Sequence, residues 1–341
     1  MKRVFIVLLA VCMLASGCGI AAQPQQKQYT ATFLDLFDTV TTIIGRAESE
    51  EAFQTQAQAV RDDLQYYHNL FDIYNDYDGI SNLKTINENA GVQSVKVDRA
   101  IIDLLLSCKE YYRLTDGKVN VAMGSVLSLW HNARADGVRD PVNAKLPQKE
   151  ALLEAAKHTN IESIEIDAEN CTVYIADPLT QLDVGAVAKG WATQRAAENA
   201  PEGILISVGG NVCATGPKTQ EGTPWVIGIQ DPDQSDRNLH SLYVSAGSVV
   251  TSGDYQRTYT VDGKKYHHII DPQTLMPAQH FRSVSVVCAD SGLADALSTG
   301  LFLMDREQGQ ELAQQCGAEV LWVEADGAEY MTAGFENNLR N

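Results

Sequence analysis

Between Gly203 and Val287 the chain reads GILISV (203–208), WVIGIQ (225–230), SLYVSA (241–246), RTYTV (257–261), KYHHII (265–270) and SVSVV (283–287). Each run is short, rich in β-branched or aromatic residues and bounded by turn residues, which is the signature of β-strands. Asp262-Gly263, between the fourth and fifth runs, predicts a hairpin turn. Strands that mostly follow strands predict antiparallel sheet, because a doubly wound parallel sheet needs a helix between each strand and the next.

Upstream the periodicity is helical. Glu50 to Phe71 predicts one helix, followed by a polar, turn-rich stretch from Asp72 to Asn89. Asp98 is placed to cap a second helix, Arg99 to about Arg113, which Thr115-Asp116-Gly117 ends. Pro147 opens a third, running to about His158, and Ile161–Ile166 with Thr172–Ile175 alternates like another hairpin. After the strand-rich region, Ser291–Met304 and Arg306–Cys316 predict helices and Glu319–Glu324 a closing strand. The expected class is therefore α+β, a mostly antiparallel sheet flanked by helices.

Of the 341 residues 45% are hydrophobic and 21% charged, enough apolar side chains for a sizeable core and too few charges for wholesale disorder. The formal charge of −18, from 44 acidic against 26 basic side chains, has the wrong sign for a chain that grips nucleic acid by diffuse attraction. An anionic ligand would have to be held locally, by a metal ion, backbone amides or a few placed cations.

Lys2 and Arg3 precede an apolar run from Val4 to Ala15, too short to span a bilayer but suited to the core of a secretory signal. Leu14-Ala15-Ser16-Gly17-Cys18 follows and resembles the lipobox of bacterial lipoproteins. That resemblance implies a signal peptide over residues 1–17, acylation of Cys18 and a place on the outer face of the cell membrane. Residues 18–28 would form a tether and 29–341 the body; an ordinary signal peptide cut near these small residues is the alternative. With Cys12 in the apolar leader run, the remaining cysteines, Cys108, Cys171, Cys213, Cys288 and Cys316, are odd in number and show no CxxC spacing. Neither a disulfide framework nor a zinc site is indicated.

Several segments are more particular than architecture requires. Asp183-Val184-Gly185-Ala186-Val187-Ala188-Lys189-Gly190 runs from a strand into a helix through small residues, with Lys189 in the first turn. Ser207-Val208-Gly209-Gly210-Asn211 and Thr251-Ser252-Gly253-Asp254-Tyr255 end strands on glycines. Tyr266-His267-His268-Ile269-Ile270-Asp271-Pro272 sets two adjacent histidines on an apolar strand, where alternation turns only one of them toward a given face. His268 and Asp271 are three residues apart, close enough for a carboxylate to orient an imidazole. In Ala294-Asp295-Ala296-Leu297-Ser298-Thr299-Gly300, Asp295 and Thr299 lie four apart on one helix face, a foothold for Mg²⁺ or else a buried Asp bonded to a nearby Thr.

In this order, and with Phe71-Asp72-Ile73-Tyr74-Asn75, Thr115-Asp116-Gly117 and Trp130-His131 upstream, the segments resemble the ApbE family of FAD:protein FMN transferases over nearly the whole mature chain. The resemblance implies an ApbE-like fold and an enzyme that takes FAD as substrate, uses Mg²⁺ to cleave its pyrophosphate, transfers FMN to a Thr hydroxyl and releases AMP. It implies Asp295, Thr299 and the carbonyl of Ala186 as metal ligands, and Lys189 near the pyrophosphate. Tyr74, Asn75, Asp116 and Ile269 would contact the cofactor. His268 would act as general base with Asp271 holding it, and His267 would point away. The implied partner is an acceptor protein with an exposed Thr, such as a flavoprotein subunit of a membrane redox pump or of an extracellular electron-transfer chain.

Two places depart from the family pattern. Phe37-Asp38-Thr39 stands where Met-Gly-Thr is usual, and Leu275 replaces a glycine in Asp271-Pro272-Gln273-Thr274-Leu275-Met276-Pro277. The second change predicts against a left-handed turn there. Water in place of the Thr hydroxyl would give an FAD pyrophosphatase yielding FMN and AMP. A lipoprotein that only holds FAD is the third reading, and it would need no base.

Overall fold

The computed structural model describes residues 26–340 except 235, so the leader, Cys18 and most of the expected tether lie outside the described residues. Eight strands form the central sheet: β1 (Lys27–Leu36), β2 (Thr39–Ala47), β3 (Leu205–Val208), β4 (Asn211–Ala214), β5 (Gly247–Gly253), β6 (Phe281–Cys288), β7 (Glu319–Glu324) and β8 (Glu329–Met331). Their order across the sheet is their order along the chain, and every adjacent pair is antiparallel. The α+β reading with an antiparallel sheet therefore holds.

The connections carry the rest of the molecule. Between β2 and β3 lie α1 (Glu50–Phe71), α2 (Arg99–Leu114), α3 (Gly124–Arg139), α4 (Ala188–Asn199) and a three-stranded sheet of Val95–Lys96, Thr172–Ile175 and Ile164–Asp167. A hairpin of Trp225–Gln230 and Asn238–Val244 joins β4 to β5, and a short ribbon, Tyr259–Val261 with Lys264–Tyr266, joins β5 to β6. Helix α5 (Ser291–Phe302) and a further helix, Arg306–Gln315, join β6 to β7.

Strand alternation splits the core between the two faces of the sheet. In β3, Ile206 and Val208 pack on the helix side, while Leu205 packs with Trp225, Ile227 and Leu242 of the hairpin. In β7, Val320 and Trp322 face α5 while Leu321 and Val323 face the hairpin side. Helix α1 buries Phe53, Ala57, Val60 and Leu64, spaced as one helical stripe, and Ser49 caps it by accepting from the amide of Ala52.

Helices α1, α2 and α5 begin where the sequence predicts, and the side chain of Asp98 accepts from the amide of Ala100 at the start of α2. The third predicted helix is shorter, Lys149–Ala155, and closes as a 3₁₀ turn to His158. The strand expected to reach Ile270 ends at Tyr266. The sheet also claims part of the expected tether, since Lys27 and Gln28 pair with Ala47 and Arg46.

Three elements carry no clear pattern in the sequence. Strand β4 has four residues, and β5 opens and closes on glycine. Helix α3 contains Gly137 and several weak helix formers, and it forms because Val126 and Trp130 bury against Leu152, Tyr259 and Leu275. Among the described residues all five cysteines are free thiols, with Cys108, Cys213 and Cys288 buried. No described helix is long and apolar enough to cross a membrane.

Candidate active site

A cavity of about 460 Å³ opens at one end of the central sheet, within the size range of small-molecule sites. Its walls come from the β1–β2 turn, the segment after α1, the starts of β4 and α4, the end of β5, one face of α5, and the loop after Tyr266.

The helix wall is built on a close approach of α4 and α5. A Cβ at Gly190 would stand 2.4 Å from both the Cβ of Asp295 and the carbonyl oxygen of Ser291, so glycine is what lets the two helices meet. The contact fixes Asp295, which is 3% exposed: its Oδ2 accepts from the amide of Gly190 at 2.8 Å and lies 3.5 Å from Lys189 Nζ. One helical turn on, Thr299 Oγ1 lies 3.4 Å from Ser252 Oγ of β5, which also bonds Ser298 at 2.8 Å. Ala186, Lys189, Asp295 and Thr299 all line the cavity. One carboxylate and one hydroxyl a turn apart make a partial donor set for a hard cation that completes its shell from phosphate and water. No described group of three or more His, Cys, Asp or Glu side chains could hold a metal by itself.

The loop wall departs from the sequence expectation. Because the strand stops at Tyr266, the orientation of the two histidines is set by a bend at His268 rather than by alternation. Both border the cavity. His267 is spent on structure: Nε2 donates to the carbonyl of Ala278 at 2.7 Å, and Nδ1 accepts from the amide of Ile269 at 3.2 Å. His268 presents its ring to the cavity. By surface area His268 is exposed, yet the cavity walls that crowd it, and then the neighbouring Arg257, His267, Lys189 and Arg134, push its pKa below the usual imidazole range. It is therefore neutral, the form a proton acceptor needs.

Asp271 does not orient His268. Its Oδ1 accepts from the amide of Gln273 at 2.8 Å and faces Lys118 Nζ at 3.4 Å, and it is not part of the cavity lining. Its backbone closes the following loop, accepting from Leu275 at 2.8 Å and donating to Met276 at 2.9 Å. Leu275 adopts φ +59 despite its side chain, so the left-handed turn is kept. Burial of that side chain and a hydrogen bond from the Trp130 indole to its carbonyl, 2.9 Å, offset the strain. Ile269 lines the cavity.

Across the opening, Asp72 organises the segment after α1. Burial opposes its charge, but hydrogen bonds from Asn75, Tyr74 and Tyr77 outweigh that and hold the carboxyl below its ordinary pKa. Tyr74 and Asn75 are thereby fixed on the cavity wall, and Phe37, Asp38 and Thr39 lie beside them, the first two at positive φ. Asp116 is elsewhere, exposed on a left-handed turn. Its neighbours Lys118, Val119 and Asn120 reach the cavity instead, because Thr115 anchors the turn by accepting from the amide of Val119 at 3.0 Å.

Sequence reasoning assigned no role to Asp183, Arg134, Arg257 or Asn211, all of which line the cavity. Asp183 opens a motif that was visible, and burial raises its carboxyl pKa against a bond from the amide of Gly185. Arg134 sits in the unpatterned α3 and Arg257 opens a strand-like run far along the chain, and only the fold brings the two together.

The chain matches the model of the ApbE family over residues 37–322. An FAD:protein FMN transferase of Treponema pallidum is 32% identical over 280 residues, covering 76% of this chain and 75% of that protein. One from Klebsiella pneumoniae is 28% identical over 338 residues, covering 95% and 93%. The crystal structure of the ApbE protein of Thermotoga maritima aligns with a TM-score of 0.81 at 30% identity, covering 92% of this chain and all of that one. The flavin transferase ApbE of Vibrio cholerae, at 24% identity and a TM-score of 0.75, shares the fold.

Proposed function

The chain belongs to the ApbE family, and from that membership we infer that it is an FAD:protein FMN transferase. The observation that most supports this reading is that one cavity is shared by a neutral, accessible imidazole and by the Lys189, Asp295 and Thr299 group. We propose that the acceptor is a Thr hydroxyl of a partner flavoprotein and that AMP is the leaving group. The hydroxyl oxygen forms a bond to the FMN phosphorus, the bond from that phosphorus to the bridging pyrophosphate oxygen breaks, and AMP leaves with the bridging oxygen. The hydroxyl proton passes to His268, which needs no prior deprotonation because its ring is already neutral. Mg²⁺, held by Asp295, Thr299 and the Ala186 carbonyl, would supply the charge that a pyrophosphate requires in this strongly acidic chain. Lys189 adds a fixed cation on the same wall.

Incubation with FAD, Mg²⁺ and a candidate acceptor tests the reading. Flavin fluorescence should migrate with the acceptor on a denaturing gel while AMP appears in step. AMP formed equally well without acceptor would make the protein an FAD pyrophosphatase, and bound FAD with neither product would make it a carrier. We also propose that acylation of Cys18 holds the protein on the outer face of the membrane. Cys18→Ser should then accumulate as precursor or be released from the membrane fraction, and wild-type protein found only in the cytosol with Met1 retained would refute it.

A further inference from the structure

Asn211 is a polar side chain with an unspent donor at the floor of the cavity. It opens β4 directly after Gly209 and Gly210, which adopt φ +56 and +92. The turn is pressed onto the start of β2: the amide of Gly209 donates to the carbonyl of Val40 at 3.0 Å, and a Cβ at Gly209 would stand 2.5 Å from Thr39 Oγ1. The backbone before Asn211 is thus fixed by contacts that no longer side chain could keep. Asn211 lines the cavity yet is only 2% exposed, and its Nδ2 is buried with no partner in the protein.

The surroundings do not answer that donor. Across the sheet Asn211 pairs with Val208 and Val250, both almost fully buried and apolar. The carboxylate of Asp295 is already committed to Gly190 and Lys189. Burying an amide N–H₂ without an acceptor is unfavourable, and natural structures rarely retain one unless something absent completes it. A neutral donor beside apolar walls suits an uncharged acceptor, whereas the anionic part of a dinucleotide is matched by Lys189 on the helix wall. We propose that Asn211 is a binding residue that donates from Nδ2 to a neutral ring acceptor, a carbonyl oxygen or an unprotonated ring nitrogen, on one of the two heteroaromatic rings of FAD. This rests on the reading of the cavity as the FAD site.

The test is equilibrium binding without acceptor and with divalent metal chelated, using FAD, FMN and ADP as separate probes on wild type, Asn211→Ala and Asn211→Leu. Both variants should bind FAD roughly 3- to 10-fold more weakly. They should weaken FMN or ADP by a similar factor and leave the other unchanged, which identifies the ring. The melting temperature without ligand should not fall in Asn211→Leu, because an unpaired buried donor has been removed. Unchanged affinity for all three probes in a wild type that binds FAD would overturn the proposal alone. Equal weakening of FMN and ADP together with a lowered melting temperature would reduce Asn211 to a structural residue. A wild type that binds none of the three would overturn the FAD reading of the cavity and the proposal with it.

Discussion

The helix wall and the loop wall of the same cavity are built in opposite ways. On the helix wall the functional oxygens hang from rigid elements whose spacing along the chain equals their spacing in space. Asp295 and Thr299 lie one turn apart on α5, and Gly190 lets α4 close on Asp295. On the loop wall the backbone leaves regular structure at Tyr266, and individual hydrogen bonds set the side chains: Ala278 and Ile269 hold His267 on the wall, while Gln273 and Lys118 hold Asp271 away from it. A helix transmits a motif into geometry, whereas a loop has to be solved residue by residue.

Asp295→Ala gives the sharpest test of the helix wall. It removes the wall's buried carboxylate and the partner of Lys189, and should lower transfer by about 10³-fold or more at saturating FAD. Raised Mg²⁺ should restore little, and near-normal AMP release at low Mg²⁺ would show that the helix wall is not the metal site. His268→Ala should cost about 10²-fold in turnover, the low end for a general base because a strongly depressed pKa makes a weak acceptor.

The same residue gives a pH signature. Imidazole in the unfolded chain titrates near 6.5, and in the folded chain its pKa is lower. The stability difference is therefore complete above about pH 6.5 and is lost as pH falls below that value. Melting temperatures measured from pH 7 to 5 should drop more steeply in wild type than in His268→Ala. In kcat/KM the acid limb of the free enzyme should lie below pH 6.5, and a limb at or above that value would contradict the depressed pKa.

His267→Ala should separate the two histidines. It breaks two buried hydrogen bonds and should destabilise by about 1–3 kcal/mol, while turnover of the folded protein stays within roughly threefold. Losses as large as those of His268→Ala would mean that both rings serve the reaction. The smallest effect is expected at Asp116→Asn, which keeps a residue tolerant of the left-handed turn. FAD affinity should be unchanged there, whereas Asn120→Ala, on the cavity side of the same turn, should weaken it.

What was legible in the sequence follows the same division. The amphipathic stripe of α1, the Asp98 cap and the Asp295–Thr299 spacing could be read because they depend on residues a few positions apart. Strands β4 and β5 and helix α3 were not, since their short, glycine-bearing segments are stabilised by distant neighbours rather than by their own propensity. Leu275 shows how far tertiary contacts can override a local rule: burial and the Trp130 hydrogen bond hold a left-handed leucine where glycine was expected.

The sequence alone determined the class of fold, the acidic character that requires a local device for holding an anion, the family resemblance, and the placing of Asp295 and Thr299 one turn apart on α5. It could not determine that both histidines border the cavity with His267 bonded to Ala278 and Ile269, that Asp271 turns to Lys118 and Gln273, that Lys118 to Asn120 rather than Asp116 reach the site, or that the Asn211 donor is left unpaired. Those outcomes depend on where the chain bends and which distant groups meet after packing. Hydrogen-bond partners within about 3 Å are selected by that geometry and leave no periodic trace along the chain.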